Sequence, residues 1–177
     1  TADAVIRILG IDPGTLRCGY GVIEVPSSKT VVKPRYVECG VLVLDGKLPL
    51  ASRLCTLAHD LREVIGELKP DEMSLESAFH GINARSALVL GHARGVIMLV
   101  GAEANLPIGE YSPATIKRAV AGHGRATKQD VQKMVSWLCG LSTPPPSDAA
   151  DAVAIALCHA FHRRSLARRA DAVASTR

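Results

Sequence analysis

From Val5 to Asp12 the chain is largely apolar, rich in Val, Ile and Leu, and the run ends at Pro13-Gly14. Such a run with a turn signal behind it predicts a buried strand. A second strand is predicted over 19–25, with a Pro26-Ser27-Ser28 turn after it, and a third over 35–44, closed by Asp45-Gly46. Their short connections predict an antiparallel meander. The period then changes. Leu50, Leu54, Leu57, Leu61 and Ile65 recur at helical spacing, so 49–68 is predicted helical and stops at Lys69-Pro70. There follow a short strand over 73–76, a long helix over 83–105, a strand over 106–110 and a short helix over 112–121. That helix opens with Ser112-Pro113, an N-cap followed by proline at N1. Helices over 127–138 and 148–166 complete the chain, the second after the stiff breaker Pro144-Pro145-Pro146. The order β-β-β-α-β-α-β-α-α-α predicts an α/β fold, a five-stranded mixed sheet flanked by helices. Neither a repeat nor a linker divides it, so 1–177 is expected to be a single domain, with a basic, Ala-rich tail fraying from about residue 165.

Composition sharpens this only in places. With 47% apolar and 21% charged residues the chain has material for a sizeable core, which excludes disorder as a description of the whole. Aromatics are 3%, so that core must rest on Val, Leu, Ile and Ala. Cys18, Cys39, Cys55, Cys139 and Cys158 are widely spaced with no Cys-x-x-Cys pair, so neither a disulfide framework nor a zinc knuckle is indicated. Cys158 and His162 stand at i,i+4 on a predicted helix but lack two further ligands. The first residues, 1–7, carry Asp3 and no apolar h-region, so no signal peptide is read there. The longest apolar run, 95–102, is far short of a bilayer span. A soluble, cytoplasmic protein without membrane contact is expected.

Certain acids stand where acids are awkward. Asp12 ends an apolar strand, Glu76 ends the strand Met73-Ser-Leu-Glu, and Asp148 and Asp151 open the last helix three residues apart, on one face. Carboxylates at strand ends of an α/β sheet point into the crevice where such folds bind ligands. If the first and fourth strands are neighbours, all four acids can converge. Four convergent carboxylates repel one another unless a cation offsets them. Mg²⁺ takes oxygen ligands, and two such ions about 4 Å apart suit phosphodiester hydrolysis. Each acid taken singly also has a purely structural reading. Asp12 could cap its turn, Glu76 could pair with an Arg, and Asp148 with Asp151 could serve as N-cap and N3 of the helix.

The motifs go further. Ile8-Leu-Gly-Ile-Asp-Pro-Gly-Thr15 followed by Gly19-Tyr-Gly-Val-Ile23 resembles the opening of RuvC-family resolvases. So do Leu75-Glu-Ser-Ala-Phe79, Asn83 with Ser86-Ala-Leu88, Leu90-Gly-His-Ala-Arg-Gly95, and Ser147-Asp-Ala-Ala-Asp-Ala152 with Cys158-His159 behind it. These blocks keep the family's order and spacing from about Ile8 to His162. The resemblance implies a ribonuclease H-like fold and a homodimeric, structure-selective endonuclease. Such an enzyme resolves four-way (Holliday) junction DNA in recombination and repair, working with the branch-migration proteins RuvA and RuvB. It also implies Asp12, Glu76, Asp148 and Asp151 as catalytic ligands for two Mg²⁺ ions, with Mn²⁺ as a substitute. By the same resemblance, Phe79 stacks at the junction centre, while Lys117 and Lys128 lie near the scissile phosphate. Val89 and His92 depart from the family, where Lys and Gln are common.

Charge placement agrees with that. Between Ser112 and Met134 the basic residues are Lys117, Arg118, Arg125, Lys128 and Lys133, against Asp130 alone. A basic stripe beside an acidic metal site is suited to a phosphate backbone, with Arg118 and Arg125 as DNA contacts and Lys128 stabilising charge on the phosphate. The 83–105 helix is apolar on more than one face, and Gly91-x-x-x-Gly95 permits close approach, either to its own sheet or to a second copy. Three other readings remain. A sugar or acyl kinase also uses Asp-x-Gly-Thr but needs two such domains. A related nuclease acting on RNA or RNA–DNA hybrid would lack the Asp148/Asp151 block together with the Phe79 block. A junction-binding protein without catalysis would not need the four acids.

Overall fold

The computed structural model describes residues 4–27, 33–77 and 83–174, with side chains as far as Arg163. The elements are β1 (Val5–Asp12), β2 (Arg17–Pro26), β3 (Arg35–Val43), α1 (Leu50–Leu68), β4 (Glu72–Glu76), α2 (Ala84–Glu103), β5 (Ile108–Tyr111), α3 (Pro113–Ala121), α4 (Lys128–Cys139) and α5 (Ser147–Ala174). This is the element order that the periodicity predicts. The sheet runs β3-β2-β1-β4-β5, with β1, β2 and β3 antiparallel and β1, β4 and β5 parallel. The meander is present, and β1 and β4 are neighbours.

Boundaries differ where a partner outside the local sequence decides them. β2 starts at Arg17 rather than at residue 19, because Arg17 pairs with Val43 across the sheet. β5 starts at Ile108 rather than 106, since the Leu106 N–H is still tied to the Gly101 carbonyl and Pro107 has no N–H to give. α5 continues to Ala174, past the predicted end at Leu166 and through the stretch expected to fray.

Alternation along the strands sorts the core into two layers. Leu9, Ile11, Cys18, Val22, Met73 and Leu75 face α1 and α2, meeting Leu57, Leu61 and Ile97. Ile8, Ile23 and Val25 face the other way, onto α5, which is backed in turn by Ile116 and Val120 of α3 and by Val131 and Val135 of α4. Residues 152–160 of α5 are buried on every side, as expected for a helix lying between a sheet and a second helical layer. α5 can lie this close because the facing strand positions lack side chains: a Cβ on Gly10 would stand 2.0 Å from the Ala152 carbonyl oxygen.

α2 covers the opposite face incompletely. Its inner side is buried at Ala93, Ile97 and Val100, while Leu88 and Leu99 are 65% and 56% exposed. By length and composition this 20-residue helix, with a mean hydropathy of 1.3 over an 18-residue window, is long and apolar enough to cross a membrane, although its unbroken apolar run is short. Nothing lies within 4 Å of a Cβ built on Gly91 or Gly95, so these glycines do not serve packing on the chain's own sheet. They border an outward groove with Leu54, Leu88, His92 and Leu99.

Candidate active site

Strand parity places the first two acids. On β1, Asp12 shares a face with Ile8 and Gly10, the face that α5 covers; on β4, Glu76 lies opposite the buried Met73 and Leu75. Ile11 pairs with Leu75, so the parallel strands end side by side with Asp12 and Glu76 at their tips. The third and fourth acids come from the first turns of α5, which cross the same tips. The four feel one another: burial first, then the charges of Asp151, Glu76 and Asp148, push the Asp12 carboxyl up to about 7. Glu76 is raised as well, chiefly by burial and then by Asp151.

Asp148 does not cap the helix. α5 begins one residue earlier, at Ser147, and the Ala150 N–H bonds to the Pro146 carbonyl. The Asp148 carboxylate instead accepts from Arg17 Nε at 2.6 Å. Asp151 accepts from Lys128 Nζ at 2.7 Å, a bond that raises the lysine's pKa. Each helix acid thus has a cation brought from another element.

Lys128 is the first residue of α4, and a capping box fixes its place. The Thr127 hydroxyl accepts from the Asp130 N–H, and the Asp130 carboxylate accepts from the Thr127 N–H. Asp130, the one acid in the basic stretch, is therefore spent on the helix end. Lys117 of α3 and Lys128 line a cleft of about 290 Å³ together with Glu76 and Asp151. Arg118, Arg125 and Lys133 are exposed and lie outside this lining. Lys117 and Arg118 are neighbours on α3 and so point about 100° apart, which takes Arg118 out of the lining that Lys117 joins. Phe79 lies outside the described residues.

Arg94 and Arg17 reach the site from other elements; Arg94 stands inside the Leu90–Gly95 motif, where its role is not singled out, and Arg17 carries no local signal in the sequence. Arg94, on α2 and buried, donates to the Glu76 carbonyl and to the Glu110 carboxylate, so it fastens the tip of β4 to β5. Arg17 reaches Asp148 across 131 residues of sequence.

The donor set, carboxylate oxygens only, suits a hard divalent cation: burial first and the neighbouring acids second raise the pKa of Asp12, and Glu76 and Asp151 open onto the cleft. Cys158 Sγ and His162 Nδ1 lie 3.6 Å apart, while the same His162 nitrogen is 2.9 Å from the Cys158 carbonyl oxygen and its ring packs against Tyr111. His59, Asp60 and Glu63 bring ligand atoms within 4.8 Å of one another on α1, whose apolar residues pack on the other face of the sheet. All five cysteines are free.

Comparison with known proteins agrees with this geometry. Residues 8–159 match the family described as crossover junction endodeoxyribonuclease RuvC. The crossover junction endodeoxyribonuclease RuvC of Azorhizobium caulinodans is 42% identical over 94% of this chain and 96% of its own. The structure of Thermus thermophilus RuvC superimposes with a TM-score of 0.82 at 34% identity, covering 90% of this chain and 96% of that one. The same protein in complex with a Holliday junction substrate gives 0.83 at the same identity and coverage. The fold is ribonuclease H-like, as the motifs implied.

Proposed function

Because the chain belongs to the crossover junction endodeoxyribonuclease RuvC family, we propose that it resolves four-way DNA junctions by paired symmetric nicks. The observation that carries the reading is the convergence of Asp12, Glu76, Asp148 and Asp151 at the tips of β1 and β4 and the start of α5. These four would hold two Mg²⁺ ions, with Mn²⁺ able to substitute. When bound, such a pair offsets the four negative charges and supplies Lewis acidity at the scissile phosphate.

The chain's own side chains do the rest. Lys117 and Lys128, both lining the cleft, draw in the phosphodiester, and Lys128 stabilises charge gathering on it. Buried Arg94 keeps the Glu76 backbone in place. Cleavage leaves 5′-phosphate and 3′-hydroxyl ends. Arg118 and Arg125 serve as outer contacts along a DNA arm, and Phe79 stacks at the junction centre.

A junction has two equivalent strands to nick, so two active sites are needed, and a homodimer supplies them. The exposed Leu88 and Leu99, with the open Gly91 and Gly95, favour α2 as the two-fold contact. A monomer in sedimentation at micromolar concentration would count against it. One domain spanning 1–177, a cytoplasmic location and cooperation with RuvA and RuvB complete the reading.

The test is incubation with a mobile synthetic four-way junction and a matched linear duplex, in Mg²⁺ and in EDTA. Ligatable nicks at symmetric positions, confined to the junction and to the Mg²⁺ arm, are expected. Binding without nicking would leave a junction-binding protein. Cleavage of an RNA–DNA hybrid instead would make it a ribonuclease.

A further inference from the structure

The two acids of α5 are neutralised differently from Asp12 and Glu76. Asp151 holds Lys128, which already lines the cleft, whereas Asp148 holds Arg17, which is not part of that lining. Arg17 shares strand parity with Gly19 and so stands on the face of β2 that α5 covers, at the strand's first position. Its side chain is 54% exposed and that of Asp148 28%. An ion pair this open to water contributes little and is readily exchanged.

The backbone around it is fixed. Arg17 pairs with Val43, the Leu44 N–H bonds to the Leu16 carbonyl at 2.9 Å, and Arg53 donates to the Thr15 carbonyl at 3.0 Å. Only the side chain is at liberty to change partner. A cation held by Asp148 satisfies the carboxylate that Arg17 now satisfies. The freed guanidinium, a planar fork suited to phosphate, then stands beside a site built for a phosphodiester.

We propose that Arg17 is a phosphate-binding residue held in reserve: Asp148 keeps it in the metal-free protein and releases it to the DNA backbone once a divalent cation is bound. This rests on the metal-dependent nuclease reading above. It makes Arg17 a competitor of the metal when DNA is absent and a partner of the phosphate when metal is present. Metal and DNA therefore strengthen each other's binding through one side chain.

Arg17→Gln and Arg17→Lys test this by binding alone, with Ca²⁺ as the probe cation. By isothermal titration without DNA, Arg17→Gln should bind Ca²⁺ about threefold more tightly than the unaltered protein, the size expected for removing one exposed ion pair. For junction DNA in Ca²⁺, Arg17→Gln should reduce the slope of log affinity against log salt by about 1, one phosphate contact, and Arg17→Lys should restore it. In EDTA the slopes of all three proteins should coincide. Equal Ca²⁺ affinity and equal slopes in Ca²⁺ would overturn the role of Arg17 while leaving the metal site intact. A slope loss of the same size in EDTA would make Arg17 an ordinary phosphate contact and overturn the reserve mechanism. No Ca²⁺ binding by the unaltered protein would overturn this proposal and the metal-site reading together.

Discussion

Gly19 lies directly beneath Asp148: a Cβ built on Gly19 would stand 2.0 Å from the Asp148 carbonyl oxygen. The missing side chain is what lets the first turn of α5 rest on β2 and carry Asp148 and Asp151 to the tips of β1 and β4. Gly19→Ala must therefore lift the start of α5 off the sheet. Overpacking of this kind costs about 1–3 kcal/mol, which the urea midpoint will show. A displacement of about 1 Å at a reacting centre costs about a hundredfold in rate. Junction nicking should accordingly fall well beyond what the loss of folded protein explains. A variant destabilised in this range that still nicks at the normal rate would show that the glycine serves packing alone.

The parts of this arrangement that were legible in the sequence are those that local pattern determines. Val5–Asp12 is legible to the residue, because its apolar run and the Pro13-Gly14 stop immediately after it are both local signals. Asp12 and Glu76 could be singled out because an acid at the end of an apolar strand contradicts its surroundings. Asp148 and Asp151 fit a capped helix start equally well, and only the motif favoured a site. Arg17 is not legible, and of Arg94 only the motif around it is, since their partners Asp148 and Glu110 are chosen by the fold rather than by spacing. Nearness in sequence groups Arg118 and Arg125 with Lys117 and Lys128, but of these four only the two lysines line the cleft. Gly91 and Gly95 left two packings open, and their open surroundings turn them outward.

Asp12 should make the metal-free protein less stable as pH rises. Its folded-state pKa is raised to about 7 by burial and by Asp151, Glu76 and Asp148, above the ordinary value of about 3.9 in the unfolded chain. Between those values the folded form binds the extra proton, so stability falls with increasing pH, with the full cost reached above about 7. Asp12→Asn removes the charge. In EDTA it should be more stable than the unaltered protein by about 2 kcal/mol at pH 8, allowing for solvent at the open side of the site. The two should converge near pH 4. Denaturant midpoints at both pH values decide it, and equal stability at pH 8 would show that the acids do not strain the empty site.

Glu24 should act in the opposite sense. It sits across from Arg7 on β1 and Arg35 on β3, accepting from the Nε of each at 2.8 Å. The bond from Arg7, followed by that from Arg35, lowers its pKa. A carboxylate held below its unfolded value contributes stability that is present above about pH 4.3 and lost as pH falls through the lower, folded value. Glu24→Gln should cost about 1 kcal/mol at pH 7, modest because both arginines are partly exposed. The gap from the unaltered protein should shrink in strong acid. A gap independent of pH would mean that the three-strand ladder stabilises by packing rather than charge.

Lys128 separates binding from chemistry. Its ammonium holds Asp151 at 2.7 Å and lines the cleft beside Glu76 and Lys117. It is thus close enough to the acids to meet a phosphate during cleavage. A single backbone contact among many contributes little to junction affinity, whereas a donor aimed at developing charge is worth about a hundredfold or more in rate. Lys128→Ala should therefore slow single-turnover nicking about a hundredfold while weakening junction binding in Ca²⁺ by less than about tenfold. Lys128→Arg keeps the charge but replaces a compact ammonium with a wider fork, and should recover binding before it recovers rate. Matched losses of rate and affinity in Lys128→Ala would make this lysine a tether for the DNA and leave charge stabilisation at the phosphate to the cation and Lys117.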